Sequence, residues 1–254
     1  MRPPICTICN QRFSPSAADA GLIYFAESDS DKAFNERFKQ RRLVGHKRGQ
    51  EWFCATHYAD ALANKHLTAA AYKKLVKSRF RLIQPYTEDW VKAFVEISEV
   101  LEMATKGLGV IVHHVGSTAV PGLGAKPIID IDIELPETEA FAAVTTALEG
   151  LEYTHVGDYG IPKRETFKRK GWHKDHPVLD RISHHLYVCP PDSPELRRHL
   201  AFRNYLREHA WAREEYEAIK QEIASITKQN KKAYAELKET RARAFVERIL
   251  DKAG

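Results

Sequence analysis

The sequence predicts an α+β protein: a small mixed sheet with helices and a C-terminal helical cap, preceded by a small metal-stapled module of treble-clef or zinc-ribbon type. Three observations predict it. Short apolar runs bounded by Gly, Pro and Ser lie between residues 109 and 189 and read as strands. The last third is helical in pattern and opens at Ser193-Pro194, an N-cap followed by proline at the first helical position. Three of the four cysteines fall in the first quarter of the chain with metal-ligand spacing. The expected division is residues 1–78 for the module with a bridging helix and 79–254 for the larger domain.

In the module, Cys6-Thr7-Ile8-Cys9 is a Cys-x-x-Cys knuckle. Glu51-Trp52-Phe53 reads as a short strand leading into Cys54, and Ala55 to Lys65 as a helix. Cys54 and His57 then sit at a helix start, where the dipole favours thiolate. The stretch from Ser28 to Arg48 is charged and core-poor, and its basic run from Arg37 to Arg48 reads as a solvated loop or helix face. Leu67 to Lys77 reads as the bridging helix. Leu82 to Gln84 is extended, because residues before Pro85 avoid the helical region. Thr87 can cap a helix whose apolar stripe is Trp90, Phe94, Ile97, Leu101 and Leu108. A strand from Val110 to His114, a Gly-Ser turn and a second apolar strand follow. Thr138 to Glu149 reads as a helix, and Tyr153 to Val156, Glu165 to Lys168 and Ser183 to Cys189 as further strands. Three helices, roughly Pro194–Glu208, Ala210–Thr227 and Lys231–Lys252, close the chain.

Composition bounds the function. Hydrophobic residues at 43% and charged residues at 29% suit a soluble globular protein. There is no long apolar run for a transmembrane helix and no apolar signal core at Met1–Cys6, so the expected place is the cytoplasm, with no membrane partner. A net charge of +5 favours an anionic small molecule over dedicated nucleic-acid binding.

Two constellations carry chemistry. Cys6, Cys9, Cys54 and His57 offer three thiolates and one imidazole, a donor set for structural zinc; His46 and His66 are spare histidines that could replace His57. A module this small generally needs a metal or disulfides to stay folded. The basic stretch Arg37, Lys39, Arg41, Arg42, Lys47 and Arg48, with Trp52 and Phe53 behind it, could grip nucleic acid, but a solvated face is the commoner fate. The second constellation is Val115 to Leu135. Alternation puts Asp130, Asp132 and Glu134 on one face of a strand and Ile129, Ile131 and Ile133 on the other. Paired carboxylates beside the Gly116-Ser117 turn suit magnesium completed by substrate phosphates; by themselves they are also compatible with a solvated edge face. Arg164 and Lys168 share a face and could hold phosphates, or belong to an exposed basic hairpin. Lys126 either binds phosphate or caps the strand. Cys189, ending an apolar strand, is expected to be an inert buried thiol.

The run His114-Val115-Gly116-Ser117-Thr118-Ala119-Val120-Pro121-Gly122-Leu123, with Ala125-Lys126-Pro127-Ile128-Ile129-Asp130, resembles the signature of the GrpB family. Tyr86, Trp90 and Phe94, Arg164 with Phe167, His185-Leu186, Phe202-Arg203 and Tyr205-Leu206-Arg207 extend the resemblance from about Pro85 to the C-terminus. That family is similar to the nucleotidyltransferase superfamily, whose pattern is a Gly-Ser turn, an Asp-x-Asp strand and a third acid on a later strand. The resemblance implies a nucleotidyltransferase-like fold in which Gly116 and Ser117 bind a nucleoside triphosphate, Asp130 and Asp132 hold magnesium, and an unidentified acceptor takes the nucleotidyl group. The later strand here has no carboxylate. His185 stands ready to replace it as a base, or to pack as a core histidine. Two readings compete with transfer: a nucleotide-binding or scaffold protein without turnover, and a nucleic-acid binder acting through the zinc module.

Overall fold

The computed structural model describes residues 4–9, 13, 20–40, 47–79, 81–169 and 176–253. The chain forms two compact units that divide between Phe80 and Arg81. His46, Arg41, Arg42 and the end of the basic 163–171 loop lie outside the described residues.

The first unit contains β1 (Gly21–Tyr24), α1 (Asp29–Gln40), β2 (Gln50–Phe53), α2 (Ala55–Ala63) and α3 (Ala69–Arg79). β1 and β2 pair antiparallel, with Leu22 opposite Trp52. Two features refine the sequence reading. Of the loop and helix alternatives, residues 29–40 take the helix, started by Ser28, whose Oγ accepts from Asp31 N at 3.2 Å while Asp31 Oδ2 accepts from Ser28 N at 3.1 Å. That reciprocal cap is a Ser-x-x-acid start signal hidden among charges. The unit also has a core of its own. Phe25 stacks on Tyr72 at 5.1 Å and both pack on Phe53, with Ile23 and Ala61 also buried. β1 was missed because its four residues are too short to show alternation.

The second unit places β3 (Ile111–Val115), β4 (Ile129–Glu134), β5 (Tyr153–His155), β6 (Glu165–Arg169) and β7 (His184–Cys189) in one sheet of order β3-β4-β7-β6-β5. β4 and β7 run parallel, with Asp130 opposite His185 and Asp132 opposite Tyr187; the other pairs are antiparallel. β7, not the basic β6, therefore flanks the Asp-x-Asp strand. One face packs on α4 (Asp89–Ala104) and α5 (Phe141–Gly150). The isoleucines of β4 supply that core, with Trp90, Ile97, Leu101, Val144 and Leu148.

The cap consists of α6 (Pro194–Glu208), α7 (Ala210–Ile226), α8 (Lys231–Arg241) and α9 (Arg243–Ala253). The single long helix expected over 231–252 is two, broken at the buried Ala242. The break lets Tyr234 join the cluster of Ile83 and Ile223 while Phe245 and Ile249 pack on Tyr216 and Leu206. Ser193 Oγ caps α6 by accepting from Leu196 N at 3.2 Å.

Candidate functional site

The Gly-Ser turn is built on the end of β3. Gly116 has φ +72°, and a Cβ there would collide with Asp130 Oδ2 and come within 3.1 Å of Asp130 Cβ. Only glycine fits both the backbone and the carboxylate behind it. A 3₁₀ turn over Ser117–Ala119 follows. Two α6 arginines clasp it: Arg203 donates to His114 O at 2.9 Å and Arg207 to Ala119 O at 2.9 Å. Their place in the signature is thus structural. His114 stacks on Phe94 at 4.6 Å, and burial with the nearby Arg207 charge lowers its pKa to about 4, so it stays neutral.

A cavity of about 830 Å³ opens beside this turn. Gly116, Ser117, Lys126, Asp130, Arg164 and His185 all line it. Lys168 does not; its Nζ donates to Tyr159 Oη at 2.9 Å instead. His185 is no core residue. It is exposed, and its Nδ1 lies 2.8 Å from Asp130 Oδ1. A carboxylate only accepts, so Nδ1 carries the hydrogen, and in the neutral tautomer Nε2 is the nitrogen with the lone pair. Asp132 is on the same face but fully buried. Its Oδ2 binds His199 Nδ1 at 2.7 Å, and its Oδ1 is buried without a partner.

His199 and Lys220 were not found in the sequence reading. His199 projects from α6 between Asp132 and Glu195, whose Oε1 is 3.2 Å from Nε2. Burial opposes its charge, but the bonds to Asp132 and Glu195 outweigh burial and lift its pKa to about 9. It is an imidazolium against the Asp-x-Asp strand. Lys220 of α7 is 2% exposed, with Nζ 3.3 Å from Ser117 Oγ and bonded to Gly124 O. Burial, then the Lys238 charge, lowers its pKa to about 7. Lys126 and Lys238 line the same wall. His199 had a weak signal, an acid–histidine pair at i, i+4 with Glu195; Lys220 had none, because helical periodicity does not mark a buried lysine.

In the first unit the knuckle and the start of α2 converge. Cys9 Sγ lies 3.8 Å from Cys54 Sγ, and His57 Nδ1 lies 3.3 Å from Cys54 Sγ and 3.6 Å from Cys6 Sγ. All four donor atoms fall within 4.8 Å of one another. A tetrahedral ion with bonds of about 2.3 Å has sulfur–sulfur edges of about 3.8 Å. Against the effect of burial, His57 and backbone hydrogen bonds lower the Cys6 pKa to about 6; bonding to Cys6 chiefly raises that of His57 to about 9. His66 is not part of the group. Cys189 is buried and pushed by burial up to about 12, an unreactive thiol. Among the described residues no helix is long and apolar enough to cross a membrane.

Comparison with known proteins places these features. The family described as GrpB protein matches residues 82–252. The YqkA protein of Bacillus subtilis (strain 168) is 33% identical over 175 residues, 66% of this chain and 49% of that protein, so the chain spans about half of its length. Glutamate-rich protein GrpB of Alkalihalophilus pseudofirmus is 27% identical over 173 residues, covering 67% of this chain and 94% of that one. The crystal structure of GrpB from Enterococcus faecalis is 31% identical, covers 67% of this chain and 96% of its own, and has a TM-score of 0.55. The Cid1 poly(U) polymerase with MgGTP bound is 12% identical with a TM-score of 0.39, covering 62% of this chain and 46% of its own. The turn, the Asp-x-Asp strand and the arginines that clasp them all lie within the matched residues, and the chain belongs to the GrpB family.

Proposed function

We propose that the cavity binds a nucleoside triphosphate with a divalent metal, and that the protein transfers its nucleotidyl group to an acceptor. The observation that carries this reading is the close seat of Gly116 on Asp130, with Lys220 reaching Ser117 Oγ on the other side of the turn. Backbone amides of the turn, Ser117 and the Lys126, Lys220 and Lys238 wall supply donors and charge for phosphates. The acids offer oxygen ligands for a cation as well: Asp130 lines the cavity, and Asp132, buried behind it and bound to His199 through Oδ2, keeps Oδ1 without a hydrogen-bond partner. Asp130 and Asp132 would hold that ion, magnesium by ligand chemistry, and when bound it supplies charge against the phosphate oxygens. The acceptor oxygen–phosphorus bond forms as the bond to the β-phosphate breaks. Pyrophosphate leaves, and the acceptor's proton passes to His185 Nε2, the nitrogen that Asp130 leaves free.

A second reading, nucleotide binding without turnover, rests on one observation. His185 and Tyr187 occupy the β7 positions opposite Asp130 and Asp132, so no third carboxylate stands there. Calorimetry with a non-hydrolysable triphosphate decides the shared part. Binding should need magnesium and weaken at least tenfold in Asp130→Asn; equal affinity with and without metal would refute the metal site. His185→Ala that keeps binding but loses about a hundredfold in transfer supports catalysis. Binding without transfer to any acceptor supports the second reading. In the first unit we assign Cys6, Cys9, Cys54 and His57 to one structural zinc, on the strength of their donor spacing.

A further inference from the structure

The cavity carries more cationic capacity than a triphosphate at the Gly-Ser turn uses, and the surplus sits on the far side of the acidic strand. Arg164 and Arg198 both line it. Arg164 lies just ahead of β6 and holds its guanidinium over the Tyr187 ring, 4.5 Å from the centroid. Its Nε is buried with no hydrogen-bond partner. Among the described residues no salt bridge or side-chain hydrogen bond engages either guanidinium. Glu195 is the carboxylate whose pKa both arginines help to lower, but its first partner is His199, which binds it at 3.2 Å.

Sheet order sets the spacing. Ser117 follows β3 and Arg164 precedes β6, three strands away across β4 and β7. At about 4.8 Å per strand they are roughly 14 Å apart sideways, and register separates them further: Val115 lies opposite Asp130 and Asp130 opposite His185, whereas Glu165 lies opposite Val188, so Arg164 is also displaced along the strands toward their other end.

We propose that Arg164 and Arg198 form a second oxyanion subsite, which binds a phosphate group carried by the acceptor. The proposal rests on the preceding reading for what occupies the turn. A guanidinium pinned on an aromatic face presents a fixed fork, suited to two parallel hydrogen bonds with an oxyanion. The pinned Arg164 fork together with the exposed Arg198 guanidinium matches a phosphate, with three acceptor oxygens and up to two charges, better than a carboxylate with two oxygens and one charge. An incoming oxyanion would also give the orphaned Arg164 Nε its partner.

The test uses the full chain saturated with magnesium and a non-hydrolysable triphosphate, with inorganic phosphate and acetate as probes in calorimetry. Phosphate should bind the saturated protein, and acetate at least tenfold more weakly. Arg164→Lys and Arg198→Met should each weaken phosphate about tenfold, the worth of one charged hydrogen bond, with the melting temperature unchanged. Abolition of phosphate binding by saturating triphosphate would mean a single anion site and overturn the proposal. So would phosphate affinity that both variants leave intact, or acetate binding as tightly as phosphate. If the triphosphate itself does not bind while phosphate binds in an arginine-dependent way, the subsite stands and the nucleotide reading fails.

Discussion

Lys220→Met tests the buried cation of the site in two directions. Lys220 has a folded pKa of about 7 against an ordinary 10.5, because burial and Lys238 disfavour its charge more than Glu217 favours it. A lysine with a lowered folded pKa binds fewer protons folded than unfolded between those two values. Its cost is fully present below pH 7 and is relieved as pH rises toward 10.5. Each pH unit in that window is worth up to about 1.4 kcal/mol, so the wild type should gain about 2 kcal/mol on the methionine variant between pH 7 and 9. Methionine keeps the length but strips Gly124 O of its donor, a loss of about 1–3 kcal/mol that does not vary with pH. Urea unfolding of both proteins at pH 7, 8 and 9 gives the difference directly. The same geometry makes phosphate binding proton-linked: at pH 8 the free lysine is mostly neutral and should take up a proton when an anion arrives. Calorimetry in two buffers of different ionisation enthalpy would read that uptake, and Lys220→Met should abolish it. A stability difference that stays flat with pH, or that moves against the wild type as pH rises, would refute the reasoning.

The remaining predictions are simpler. Gly116→Ala should cost at least about 2 kcal/mol in urea unfolding, since the φ of +72° and the Asp130 carboxylate both oppose a side chain. Purified protein should carry one zinc per chain by elemental analysis, and Cys54→Ser should lose it and lower the stability of the first unit; full retention of metal and stability would rule the site out. Cys189 should resist thiol reagents in the folded protein for as long as the β7 core holds, and rapid native labelling there would contradict its burial.

Legibility followed the range of each signal. The β4 strand was plain because alternation is local: Ile129, Ile131 and Ile133 went to the core and Asp130, Asp132 and Glu134 to the other face. Gly116 and Ser117 were marked by their turn chemistry, and Cys6, Cys9, Cys54 and His57 by paired spacing. Missed elements had weak local signals. β1 is four residues long, α1 hides its reciprocal cap in a charged run, and the α8–α9 break falls on an ordinary alanine. Arg164 and Lys168 share a strand face, yet only Arg164 reaches the cavity. Alternation fixes a side, not the reach.

The sequence by itself determined the family signature, the acidic strand, the turn glycine and the two paired motifs of the cysteine–histidine cluster, because each is written in spacings of a few residues. Only the tertiary structure decided what balances the acids. It put the His199 imidazolium on Asp132 from a helix 67 positions away, and Lys220 on Ser117 from 103 positions away. It also set β7 beside β4, which gives His185 its place on Asp130. Charge compensation in a buried site depends on distances of a few ångströms between elements, and those follow from how helices and strands pack, not from local pattern.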